Sequence, residues 1–144
     1  MKRQLSQEEK DLCSKNVELM NEQEQQYEYQ LESIGLLMEY GLDFNFRKEK
    51  EKLEEYLKQL KDISNEEIVE QDKKDIEYQI KSGELMLNRG LKFKYDRERL
   101  NLKGSIEKVK AELKEIKWRR EVTLEQIENG VEIKEKEGDT SIYG

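Results

Sequence analysis

The side chains best suited to chemistry lie in two short stretches that echo one another. The first holds Phe44, Phe46, Arg47, Lys48, Lys50 and Lys52, and the second Arg89, Lys92, Phe93, Lys94, Tyr95, Arg97 and Arg99. Rings beside Arg and Lys can stack on bases while the cations hold phosphates. The same residues have a plainer use, in which Phe44/Phe93 and Phe46/Tyr95 close the end of a core and the cations are solvated around it. Trp118, followed by Arg119 and Arg120, is a second candidate. Trp and Arg are enriched among the anchors of protein interfaces, although packing in a helix seam would also use a lone Trp.

Catalytic chemistry finds little to work with. Histidine is absent, which removes His-based acid–base catalysis, Ser-His-Asp and Cys-His nucleophiles and most zinc sites. It also removes the Glu-x-x-His signature of di-iron bundles. Carboxylate pairs such as Glu51/Glu55 and Glu66/Glu70 read as solvated helix faces in so acidic a chain. The glycines are isolated, so neither a P-loop nor a dinucleotide fingerprint forms. Cys13 sits among Glu8, Glu9, Asp11 and Glu18, a setting that disfavours a reactive thiolate. It reads as a small apolar filler, and a single cysteine fits a reducing compartment. No enzyme, cofactor or metal site is expected.

The elements that would position the two stretches are themselves duplicated, with a period of 49 residues. Residues 28–61 (EYQLESIGLLMEYGLDFNFRKEKEKLEEYLKQLK) align without a gap on residues 77–110 (EYQIKSGELMLNRGLKFKYDRERLNLKGSIEKVK), with 11 of 34 positions identical. Asn129–Lys134, NGVEIK, echoes YGLDFN and RGLKFK once more. A repeated unit that cannot bury its own apolar face is normally stacked on its neighbour.

Composition points to helices with narrow seams. Charged residues make up 42% of the chain and apolar residues 34%, with no proline. That is too little apolar surface for one thick core, where about 45–50% is usual. Ser6 and Glu9 form a capping box before a helix carrying Leu12, Leu19, Leu31, Ile34, Leu37 and Met38. Gly41 and Gly90 read as left-handed C-caps. Ser64 and Glu67 read as a second capping box, opening a helix from about residue 65. A fourth helix runs through Leu102, Ile106, Val109, Leu113, Ile116, Leu124 and Ile127 to Gly130. The expected fold is all-α, an elongated antiparallel bundle or coiled coil built from two repeated helix-Gly-helix hairpins. Both Gly turns and their basic, aromatic residues then fall at one end. Residues 1–130 form a single domain and 131–144 a C-terminal tail. The alternation in 42–46, 91–95 and 131–134 also fits short strands, which would make the fold α+β.

Charge orients the pieces. Residues 1–40 carry four Lys/Arg against nine Asp/Glu, and residues 89–120 carry twelve against five. Opposite charge along helix flanks selects partners, so the first and last helices should pair. Their overhanging ends need cover, and a homodimer or higher oligomer through Leu12, Leu19, Leu113, Ile116 and Leu124 is expected. MKRQLSQEEK has no apolar stretch for a signal peptide, and no window approaches the roughly 18 apolar residues of a membrane span. A cytoplasmic protein without membrane contact is expected.

EEKDLCSKNVELMNEQEQQYEYQLESIGLLMEYGL, leading into repeated G-[LV] segments, resembles small coiled-coil accessory proteins of phages and mobile elements of low-GC Gram-positive bacteria. The resemblance implies binding, and often inhibition, of a host protein, or a part in virion assembly, with the bacterial host cell as location. The leading expectation is a non-enzymatic interaction module that occludes a bacterial factor. The alternatives are a nucleic-acid or anionic-nucleotide binder that uses the basic turn end, and a virion structural protein.

Overall fold

With no proline in the chain and strong helix formers throughout, helices run until packing or capping stops them. The computed structural model describes residues 1–133, and it is 89% helical, with two long helices of 58 and 60 residues. The first comprises α1 (Gln7–Leu36), a π-turn (Leu37–Gly41) and α2 (Leu42–Ser64); the second comprises α3 (Glu70–Leu85), a π-turn (Met86–Gly90) and α4 (Leu91–Asn129). Two short strands, β1 (Lys2–Arg3) and β2 (Val131–Glu132), complete the described residues. The all-α expectation holds. Strand character survives only at Val131–Glu132, while 42–46 and 91–95 are helical. The expected tail residues Lys134–Gly144 lie outside the described residues.

The helix-Gly-helix hairpins do not form. Gly41 has φ −68° and ψ −37°, which is ordinary right-handed helix, and the helix passes through it. The reason lies in the apolar spacing. Ile34, Met38, Leu42 and Phe46 follow one another in three four-residue steps, as do Gly83, Leu87, Leu91 and Tyr95. In a regular α-helix those twelve residues would swing the seam about 120° around the axis. A π-turn absorbs one extra residue and removes most of that drift. Its signature is present: the Leu42 amide donates to the Leu37 carbonyl and the Leu91 amide to the Met86 carbonyl. Glycine serves here by lacking a Cβ, since one at Gly41 would lie 2.7 Å from Leu37 Cδ1.

The capping predictions divide. At the start of α1 the box forms: the Glu9 amide donates to Ser6 Oγ at 3.2 Å and the Ser6 amide to Glu9 Oε1 at 3.0 Å. The box at Ser64/Glu67 does not. Ser64 lies in the last turn of α2 and its hydroxyl donates to the Lys61 carbonyl at 2.7 Å, satisfying an orphan acceptor of a helix end. The second helix begins at Glu70, not near 65, after an extended Val69.

Backbone contacts divide the chain into two compact units, Met1–Leu31 with Lys108–Gly144, and Glu32–Glu107. In the first, β1 and β2 pair antiparallel, Lys2 with Glu132 and Arg3 with Val131. Its core is Leu5, Val109, Leu113 and Ile116. The expected charge pairing appears there as Arg120 against Glu24, Arg120 Nη1 to Asn21 Oδ1 at 2.9 Å, and Lys117 to Glu24 at 3.9 Å. Of the residues expected to cover a dimer contact, Leu113 and Ile116 are buried within the unit, while Leu12, Leu19 and Leu124 remain exposed. The second unit is a hairpin of the two repeats around Leu42, Leu57, Leu60 and Leu91.

Candidate protein interface

In the second unit the duplication is structural. Burial agrees at 31 of the 34 aligned positions, differing only at Leu37/Met86, Lys50/Arg99 and Leu57/Ile106. Leu42 and Leu91, equivalent residues, are the most enclosed side chains, at 1% and 2% exposure. Next to them the equivalent rings of Phe46 and Tyr95 meet edge to face, centroids 5.5 Å apart at 89°, a geometry worth about 0.5–1.5 kcal/mol beyond burial. The two segments therefore come together side by side in mid-helix rather than at a turn end.

A polar clasp flanks the rings. The Glu49 carboxylate accepts from Lys94 Nζ at 2.6 Å and from the Tyr95 hydroxyl at 2.7 Å. Lys94, and then Tyr95, hold the Glu49 carboxyl below the usual range. The same carboxylate pushes the Lys94 ammonium up. Burial, with help from Glu49, pushes the Tyr95 phenol up to about 12. The clasp fixes the pairing of the two helices and leaves no poised acid or base.

The expected site residues separate into groups. Phe46, Tyr95 and Lys94 belong to the seam and its clasp. Lys48 lies 3.8 Å from Glu51 and over the Phe44 ring at 5.7 Å, and Arg99 lies 3.8 Å from Asp43. Arg47, Lys92 and Arg97 make no ion pair among the described residues. A cleft of about 210 Å³ is lined by Leu42, Asp43, Phe46, Lys92, Tyr95, Asp96 and Arg99, so its two cations face two carboxylates. In the first unit Trp118 is exposed, Arg119 pairs with Glu115 at 2.6 Å along its own helix, and Arg120 is the clamp on Glu24. Among the described residues no three His, Cys, Asp or Glu side chains gather as a metal ion would need, and no helix is long and apolar enough to cross a membrane.

Phe44 and Phe93 behave differently from Phe46 and Tyr95. Each stands two residues beyond a buried leucine, about 200° around the helix, and so faces away from the partner helix. Phe93 belongs to a row that sequence reasoning missed: Tyr78, Leu85, Phe93 and Leu100, exposed at 72%, 60%, 75% and 66%. Their spacings of seven, eight and seven residues give one straight stripe, because the π-turn absorbs the extra residue in the middle interval. The first repeat carries Tyr29, Leu36 and Phe44 at the equivalent positions, all exposed, with exposed Tyr40 between the last two and Glu51 in place of Leu100. The signal was present as near-heptad spacing, but the eight-residue step hides it from any fixed period. Comparison with known protein families, curated proteins and solved structures finds no match for the chain.

Proposed function

We propose that the protein is a non-enzymatic protein–protein interaction module that docks through the outer faces of its repeated helices. The observation that carries this reading is the stripe Tyr78–Leu85–Phe93–Leu100, four large apolar side chains exposed along one face of α3 and α4. Contiguous exposed apolar surface marks interaction sites, and anchors one heptad apart are what a partner helix or groove engages. The resemblance to phage accessory proteins directs the search to bacterial host factors, with occlusion by rigid helices as mechanism. The nucleic-acid alternative draws less support, because Lys48, Lys94 and Arg99 already face carboxylates. The test is capture from a bacterial lysate by the parent and by Phe93→Glu/Leu100→Glu. The variant should keep its helix content and lose the captured proteins. Identical capture by both would refute the reading.

A further inference from the structure

We infer that one partner of these outer faces is a second copy of this chain, docked so that the first-repeat face of one copy lies on the second-repeat face of the next. The inference rests on the interaction-module reading and names its occupant. Both outer faces carry apolar side chains in equivalent places, yet their charges are opposed. Around Leu36, Tyr40 and Phe44 stand Glu32, Glu39 and Asp43 against Arg47 and Lys48; around Leu85, Phe93 and Leu100 stand Lys81, Arg89, Lys92, Arg97 and Lys103 against Glu84 and Asp96, so the first face is the more acidic and the second the more basic. Equivalent positions even reverse sign, as at Glu32/Lys81 and Asp43/Lys92. A face pressed on its own equivalent meets like charge, whereas the two different faces attract.

Register supports the same pairing. Phe46 with Tyr95, Glu49 with Lys94 and Asp43 with Arg99 fix which levels of the two antiparallel helices coincide. A second copy placed alongside in the same orientation keeps those levels. Tyr40 of one copy then falls opposite Leu100 of the next, and Phe44 opposite Arg97. Glu39 falls opposite Lys103. None of Glu39, Arg97 and Lys103 makes an ion pair among the described residues. Each copy offers one face of each kind, so the contact is head to tail and leaves an unused face at both ends, which extends into a row.

The test is sedimentation of the full chain across the micromolar range. The parent should grow in mass continuously with concentration. Arg97→Glu/Lys103→Glu and Glu32→Lys/Glu39→Lys should each stay dispersed with parental helix content, and an equimolar mixture of the two should associate again. A parent that remains monomeric, or stops at a dimer, would overturn the proposal, as would a mixture that stays dispersed. A second measurement serves if a double variant unfolds. In a Cys13→Ser background, Tyr40→Cys/Leu100→Cys places thiols on opposite outer faces of one chain, where they cannot join each other. Oxidation should give a ladder of multimers, and absence of a ladder overturns self-docking. If the parent stays monomeric while Phe93→Glu/Leu100→Glu still loses captured proteins, self-docking fails and the interaction module stands. If that variant changes neither capture nor mass, both fail.

Discussion

YGLDFN, RGLKFK and NGVEIK look alike in sequence, yet the chain treats the third differently from the first two. At Gly41 and Gly90 the helix continues through a π-turn, and the next residue, Leu42 or Leu91, becomes the most buried side chain of its repeat. At Gly130 the helix stops. Its φ is +84°, its amide donates to the Gln126 carbonyl at 2.9 Å, and Val131 pairs with the backbone of Arg3. A glycine permits several outcomes, and the residues that follow decide among them. Leu42 and Leu91 find the opposite repeat and keep the helix going. The β-branched Val131 finds the start of the chain and becomes a strand.

The largest expected effect comes from Gly130→Ala. A non-glycine residue at positive φ costs about 1–3 kcal/mol, and the new Cβ would fall on the Arg3 carbonyl, which is backbone and cannot rotate aside. The strand pair should open. The Ile133 amide, which donates to the Met1 carbonyl at 3.1 Å, should lose its protection in hydrogen exchange. Retained protection would contradict this account of Gly130.

Gly104→Ala gives the opposite sign. Gly104 lies inside α4 with open space where a Cβ would go, so only helix propensity changes. A gain of about 0.5–1 kcal/mol is expected, seen as a higher midpoint in urea or thermal unfolding. A loss there would mean that something packs on this face.

What could be read from the sequence follows from which interactions are local. The helical class, the Ser6–Glu9 cap and the pairing of the acidic first helix with the basic last one rest on composition, a four-residue motif and bulk charge. The π-turns could not be read from Gly41 and Gly90, because the determinant is the phase of Ile34, Met38, Leu42 and Phe46 against a partner helix. The same error hid half of the candidate site. Counting Phe44 with Phe46 and Phe93 with Tyr95 placed four rings at a turn. Once the helix is continuous, two residues of separation put one ring in the seam and the other outside.

A local pH effect should mark the strand-bearing end. The Arg3 guanidinium grips Glu9 at 2.9 and 3.0 Å, and with the Ser6 backbone it draws the Glu9 carboxyl down to about 2. A depressed carboxylate stabilises the fold above its unfolded value. That contribution fades as pH falls from about 4.5 toward about 2. Protection of the Ser6 amide, taken relative to its intrinsic exchange rate at each pH, should fall over this interval, and Arg3→Met should remove the dependence. The Glu9 side chain is partly exposed and its partners, Arg3 and Ser6, are near in sequence, so the response should stay local and leave the midpoint of global unfolding almost unchanged. An equal pH response in Arg3→Met would show that another group is titrating.

The smallest expected effect completes the comparison. At Gly41→Ala two terms oppose each other. Alanine gains about 1 kcal/mol of helix propensity over glycine, while the new Cβ meets Leu37 Cδ1 at 2.7 Å. That atom ends a flexible side chain and can turn aside at modest cost. Gly90→Ala meets Met86 Sδ in the same way, and a thioether chain yields still more easily. Each variant should therefore lie within about 0.5 kcal/mol of the parent. If both glycines were left-handed caps like Gly130, each alanine would cost at least as much as there. Equal losses at Gly41, Gly90 and Gly130 would erase the distinction between a glycine that ends a helix and one that only makes room within it. Losses at Gly130 alone would establish that Gly41 and Gly90, unlike Gly130, need no left-handed backbone freedom.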